Sequence, residues 1–189
     1  MTTNDSIHIP TAPNIPGLNF RGFRGEDDYP HMLAVIENSK DEDVIERTDT
    51  LEDITNNYAH LVNCDPYRDM LIAEVQGQVI GYSRVFWEHL DEGIYIYNLF
   101  GFLVPEWRRQ GIDAAMLTHN EARLRQIAAT HPEDEPRFFQ TWGADTEKGV
   151  HALAVRQGYE AIRYTYDLVR NLSEPFPEAH LPVGLEIRN

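Results

Sequence analysis

The sequence predicts an α/β (α+β) protein: a central mixed, mostly antiparallel sheet of six to seven strands flanked by about four helices. Three observations carry that expectation. Residues 70–104 hold three alternating or apolar runs separated by turn signals at Gln76-Gly77 and Asp91-Glu92-Gly93, the pattern of neighbouring antiparallel strands. Segments before and after them carry apolar residues at helical spacing. Between the third run and the next helical pattern, Leu103-Val104-Pro105-Glu106-Trp107-Arg108-Arg109-Gln110-Gly111 breaks an apolar run on a proline and passes two arginines and a glycine. That is a strand–loop–helix joint.

Taken in order, residues 1–16 are rich in Thr, Asn and Pro and read as a flexible lead. Residues 18–23 alternate as a first strand. A helix over 26–39 places Tyr29, Met32, Leu33 and Ile36 on one face, with Asp27 or Asp28 as its cap. Thr50-Leu51-Glu52-Asp53 opens a second helix to about 62, with Leu51, Ile54, Tyr58 and Leu61 together. Strands follow at 70–75, 78–87 and 94–104. Past the joint, Ile112, Ala115, Met116, His119, Leu124 and Ile127 support a helix to about 130, stopped by Pro132. A strand at 137–142, a helix at 147–157 ending at Gly158, and an alternating strand at 159–172 complete the set.

With 189 residues, of which 42% are hydrophobic, the chain can bury one well-packed core but not two comfortable domains. No apolar run approaches the ~18 residues of a membrane span, and the first fifteen residues lack a basic start and an apolar segment, so a cytoplasmic protein without a membrane partner is expected. Cys64 is alone and cannot form an internal disulfide, which fits a reducing compartment. Thirty-one acidic against sixteen basic residues give a formal charge of -15, a field that repels a phosphate backbone and disfavours nucleic acid. The same field draws in a cationic amine. Eight histidines show no pair at ligand spacing, so no metal site is expected.

The joint carries the chemistry. Backbone N–H groups at a helix start lack intrahelical partners, and the helix dipole adds roughly half a positive charge there, so an anion fits. Arg108 and Arg109 add full charge beside it, and Gly111 lets a ligand approach the backbone where a Cβ would collide. The run from Val104 to Ile112 resembles the acetyl-CoA signature of the GNAT superfamily of N-acetyltransferases: arginine or glutamine, two free positions, glycine, one free position, then glycine or alanine. Arg108 and Gly111 match; Asp113 stands where glycine or alanine is expected, and Ala114 follows one residue late. The element order over 18–172 is also that of the GNAT fold.

The resemblance implies acetyl-CoA as cosubstrate. Its pantetheine arm would pair with backbone groups of Phe102 and Leu103 at the end of the strand that closes on Val104. Its pyrophosphate would meet the amides of Arg109, Gln110, Gly111, Asp113 and Ala114, with Arg108 beside them. The reaction needs a base to free the amine, an oxyanion donor and an acid for the departing thiolate. Many family members supply that acid from a tyrosine four residues before the glycine of a Gly-Phe or Gly-Tyr pair. Here the pair is Gly158-Tyr159 and the position holds Ala154. His151, three residues earlier on the same helix, is the candidate acid; Tyr164 and Tyr166 are weaker ones. Glu88 or His89, at the end of a central strand, is the candidate base, with a water as the other carrier.

Gly184-Leu185-Glu186-Ile187-Arg188 echoes Gly17-Leu18-Asn19-Phe20-Arg21, so residues 173–189 read either as a linker with an edge strand or as the start of a second GNAT-like domain. The second reading resembles the tandem GNAT proteins that mycothiol synthase typifies. The expected function is N-acetyl transfer to a primary amine of a small molecule or peptide. Its competitor is a catalytically degenerate GNAT domain serving as CoA-binding scaffold; a second GNAT domain or a homodimer is the expected protein partner.

Overall fold

Gln76 and Gly77 both take positive φ, 53° and 80°, and close a two-residue hairpin between β2 (Met70–Val75) and β3 (Gln78–Leu90). Such a turn matches the twist of the strands it joins and favours Gly at its second position. The computed structural model describes residues 5–45, 48–166, 168–171, 173–175 and 181–186. β1 (Leu18–Arg21) pairs with β2, and β3 pairs along ten residues with β4 (Ile94–Leu103), all antiparallel. β5 (Arg137–Gln140) joins the far side of β4 in parallel, giving a five-stranded mixed sheet in sequence order. Two elements of the joint follow β4: a 3-10 turn, Pro105–Trp107, and α4 (Ile112–Ala128).

Helices α1 (Tyr29–Asp43) and α2 (Leu51–Ala59) lie between β1 and β2 in sequence; a short α3 (Pro66–Asp69), absent from the sequence expectation, leads into β2. α5 (Lys148–Arg156) closes the element list. Thr50 caps α2 reciprocally with Asp53, as its S/T-x-x-acid pattern demands. Asp28 sits at the start of α1 but does not cap it with its side chain. Its carboxylate instead takes two bonds from the Arg21 guanidinium, at 2.9 and 2.7 Å, and one from the Arg24 amide, while Glu74 takes the Arg21 Nε at 2.6 Å. A nearly fully buried arginine is tolerated because two carboxylates and the Gly22 carbonyl satisfy it.

Alternation sends successive residues of β3 and β4 to opposite faces. Val85, Tyr95, Tyr97 and Leu99 pack with Leu117 and Leu124 of α4 and Leu153 of α5. Tyr82, Arg84, Phe86 and Glu88 stand opposite Phe102, Phe100, Asn98 and Ile96 on the other face. There Asn57 and Tyr58 of α2 reach Arg84. The larger core joins Met32, Val35 and Ile36 of α1 and Ile54 of α2 to β1, β2 and the start of α4.

The chain divides into two compact units, 1–159 and 160–189. In the first, residues expected as a loose lead are held against β1. The Ile7 amide donates to the Phe20 carbonyl, Ser6 bridges Arg21, and Ile9 is buried in the core. In the second, among the described residues, there is no helix or strand; Asn171 Oδ1 accepts from the amide and hydroxyl of Ser173. The sheet therefore has five strands where six to seven were expected. The strand expected over 159–172 has the alternation but forms no ladder among the described residues. Period two predicts which side chains share a face, not which sheet edge they pair with. Of the C-terminal echo, residues 187 and 188 lie outside the described residues.

Candidate functional site

β4 is paired on both edges only at its start. Its ladder with β5 runs from Tyr95↔Arg137 to Asn98↔Gln140 and ends there, while its ladder with β3 continues to Gly81↔Leu103. The β5 ladder thus stops five residues before the end of β4. A backbone edge of this kind can pair with an extended amide chain. The edge leads straight into the joint.

In the joint, Arg109 and Gly111 both take positive φ, 60° and 88°, and no side chain caps Gly111 at the start of α4. The backbone turns through these two positive-φ residues just before α4, whose first N–H groups have no intrahelical acceptor, an arrangement that suits an anion. Arg109 and Gln110 are exposed, and Gln110 Nε2 donates to the Glu106 carbonyl. Asp113, in the first turn, accepts the Ala114 amide at 2.9 Å. That bond takes up one N–H the resemblance reserved for a pyrophosphate.

Arg108 is engaged elsewhere. Its two amino groups meet both oxygens of Asp43 at 2.5 and 2.8 Å, and its Nε donates to the Leu103 carbonyl at 2.8 Å. Asp43, buried at the end of α1, needs that cation, because an acid in a last helical turn opposes the helix dipole. Arg108 thus ties α1 to the end of β4, and the free cation beside the cradle is Arg109, exposed and in no ion pair among the described residues.

The two candidate bases are separated by the sheet. Glu88 faces the α2 side, where Asn98 Nδ2 donates to its Oε2 at 3.0 Å and Gln140 Nε2 donates to Asn98 Oδ1 at 3.1 Å. This chain of amides crosses β3, β4 and β5 at the residue where the β4–β5 ladder ends, and Asn98 is 1% exposed. His89 faces the other way, stacked on Tyr95 at 4.3 Å with Nε2 2.7 Å from Glu135. His131 adds to that stack, 4.5 Å from Tyr95 and 2.8 Å from the Tyr97 hydroxyl; burial, with Arg137 and His89, holds it below the ordinary histidine value.

His151 is exposed on α5, and Ala154 is half-buried. Tyr159 donates its hydroxyl to Glu121 Oε1 at 3.0 Å, and burial together with the Glu121 charge pushes its phenol well above the ordinary value. It keeps its proton but is committed to α4. Cys64, half-buried, has its thiol pushed up to about 11 by burial, so it is a packing residue and a poor thiolate. Among the described residues no cluster of His, Cys, Asp or Glu suits a metal ion. No helix of the described residues is long and apolar enough to cross a membrane.

Sequence reasoning missed Asp43 and Gln140 as parts of this site and left Arg84 unassigned. Asp43 had a signal: an acid at the end of a helix, where the dipole favours a cation. Gln140 had none, because its role comes from the parallel β4–β5 register.

A five-stranded sheet whose fourth strand leaves its neighbour and enters a helix through an arginine-glycine cradle is the arrangement of the GNAT fold. The comparisons agree with that class. No family model matches the chain. It is 30% identical over 123 residues to the mycothiol acetyltransferase of Geodermatophilus obscurus, covering 64% of this chain and 36% of that protein. Among solved structures it superimposes on a GCN5-related N-acetyltransferase from Sphaerobacter thermophilus with a TM-score of 0.66 at 16% identity, over 79% of this chain and 45% of that one. A protein of Clostridium acetobutylicum described as a predicted acetyltransferase, solved with acetyl-CoA, gives 0.58 at 13% identity over 80% and 96%. The chain has the GNAT fold. It spans about a third of the length of the curated relative it matches.

Proposed function

We propose that the chain binds acetyl-CoA and transfers its acetyl group to a primary amine of a small molecule or peptide. The observation that carries this reading is the course of β4 itself: its ladder with β5 ends at Asn98↔Gln140, and the strand runs on through Leu103 to the start of α4, which no side chain caps. The end of β4 would hold the pantetheine amides through Phe102 and Leu103. The cradle amides of Arg109, Gln110 and Gly111, with the Arg109 charge, would hold the pyrophosphate. In the reaction Glu88 accepts a proton from the ammonium, directly or through a water. The amine nitrogen forms a bond to the thioester carbon, a backbone amide near Leu103 meets the oxyanion, and the carbon–sulfur bond breaks with the thiolate taking a proton. Its donor is His151 or water, since Ala154 has none to give.

Similarity to a mycothiol acetyltransferase and to structures solved with acetyl-CoA supports the cosubstrate. A second reading, a domain that binds CoA without turnover, is favoured by the Asp113 carboxylate on the Ala114 amide and by Ala154. A longer tandem protein, of which this chain supplies one GNAT domain, fits the coverage of about a third of the curated relative. Thermal unfolding with acetyl-CoA tests the first step. At ~100 times its dissociation constant the ligand stabilises by about 2.7 kcal/mol, several degrees for a chain of this size. No shift at millimolar acetyl-CoA removes both readings; a shift with no thiol release over a panel of amines leaves the scaffold.

A further inference from the structure

Arg84 stands apart from the other half-buried or buried arginines: Arg137 also lacks a carboxylate and an acceptor for its Nε, but its amino groups donate to the Ala128, His131 and Pro132 carbonyls. Arg21, Arg108 and Arg123 each meet a carboxylate within 3 Å. Arg84 is half-buried, and among the described residues no carboxylate lies within ion-pair distance of it, in a chain with 31 acidic residues. Its Nη1 donates to Asn57 Oδ1 at 2.9 Å, and its buried Nε has no acceptor. Two rings hold the guanidinium, with the Tyr58 and Phe100 centroids each 4.9 Å away. Aromatic faces stabilise the cation and fix its plane without neutralising it.

Its surroundings form a strip with two charged ends. Arg84, Phe86 and Glu88 share one face of β3, so Arg84 and Glu88 stand four residues apart, about 13 Å along the strand at ~3.3 Å per residue. Between them lies an apolar floor: Trp142 packs 6.1 Å from Phe86 and 5.4 Å from Phe100, and is itself 53% exposed. We propose that Arg84 anchors a carboxylate of the acceptor, so that the acceptor is a primary amine carrying a carboxylate several bonds from its nitrogen, of dipeptide size. This deepens the acetyltransferase reading and rests on it. The guanidinium fork matches a carboxylate with two parallel hydrogen bonds, and a half-buried site strengthens that contact relative to water. The amine end then points toward Glu88, and an apolar side chain covers the floor. An α-amino acid, with both charged groups on one carbon, is too short to use both ends. The net charge of -15 repels anions at long range, so Arg84 acts as a contact that selects the acceptor rather than one that steers it.

The test uses two probes, the dipeptide Leu-Gly and its carboxamide, with acetyl-CoA and thiol release as the readout. The expected result is a KM for the free acid at least tenfold below that of the amide, with that ratio collapsing to about one in Arg84→Met and partly restored in Arg84→Lys. If Arg84 only braces α2, both KM values move together and the ratio persists, which overturns the proposal. Should Arg84→Met fail to fold, the wild-type ratio and Arg84→Lys decide alone: equal KM values for acid and amide in the wild type also overturn it. If no amine is turned over, the acetyltransferase reading fails separately. Calorimetric titration of the two probes without acetyl-CoA then decides the Arg84 contact: tighter binding of the acid supports it, and equal binding refutes it.

Discussion

Both carboxylate oxygens of Asp43 are bound by Arg108, at 2.5 and 2.8 Å, across 65 residues of sequence. The arginine that matches the GNAT signature is therefore a strut, joining the end of α1 to the Leu103 carbonyl where β4 enters the joint. Asp43→Ala leaves Arg108 half-buried and half-satisfied. With the Arg108 side chain 25% exposed, solvent recovers part of the loss, and a destabilisation of about 1–3 kcal/mol is expected. That corresponds to a fall in Tm of roughly 2–10 °C for a chain of this length. The same variant should weaken the thermal response to acetyl-CoA, because the end of β4 loses its brace. An unchanged Tm would show that the pair contributes nothing net.

The Asp113 carboxylate occupies the Ala114 amide in the first turn of α4. An acid there stabilises the helix by roughly 0.3–1 kcal/mol, and the same charge opposes a pyrophosphate. Asp113→Ala should therefore lower the stability of the free protein slightly while tightening CoA binding. Isothermal titration of CoA into both forms checks the point; equal or weaker binding in Asp113→Ala refutes competition between carboxylate and phosphate.

Sequence patterns place the five observed strands and the four longer helices because alternation, helical spacing and the turn residues at 76–77 are local signals. The strand expected at 159–172 shows the limit of such signals, since alternation does not name a partner edge. The same contrast holds in the candidate site. Gly111 and its neighbours are legible because the backbone reversal needs positive φ within a few residues. Glu88 and His89 looked equivalent in sequence, and the strand pleat alone sends them to opposite faces. The partners of Arg108 and Asn98 come from α1 and β5, so only tertiary packing could reveal them.

Burial, assisted by the Arg123 guanidinium, holds His119 below the ordinary histidine value. The unfolded chain takes up a proton as pH falls through about 6.5 while the folded chain resists, so stability is fully present above that pH and declines below it toward the folded-state pKa. His131 adds to the same trend. Thermal unfolding between about pH 7.5 and 5.5 should show a falling Tm, less steep in His119→Gln. Asp5, whose carboxyl the Arg24 hydrogen bond lowers, titrates in a separate window below about pH 4. A Tm that is flat over the first window would contradict the burial of both imidazoles.

Glu88 and His89 give the sharpest test of the proposed reaction. Glu88 sits on the face with Asn98 and Gln140, at the point where the β4–β5 ladder ends, and Asn98 fixes one of its oxygens. His89 lies against Tyr95 and Glu135 on the face covered by α4 and α5. A positioned general base contributes ~10²–10⁴-fold, so Glu88→Gln should lower kcat by that range, with activity recovering at high pH as the free amine loses its proton in solution. His89→Gln should change kcat by less than about twofold. Asn98→Ala should act through Glu88: a smaller loss in kcat that disappears in the Glu88→Gln background, a non-additivity that an independent structural defect would not produce. If Glu88→Gln retains full turnover at neutral pH, or if His89→Gln loses as much, the base lies elsewhere and the amide chain across the three strands is structural.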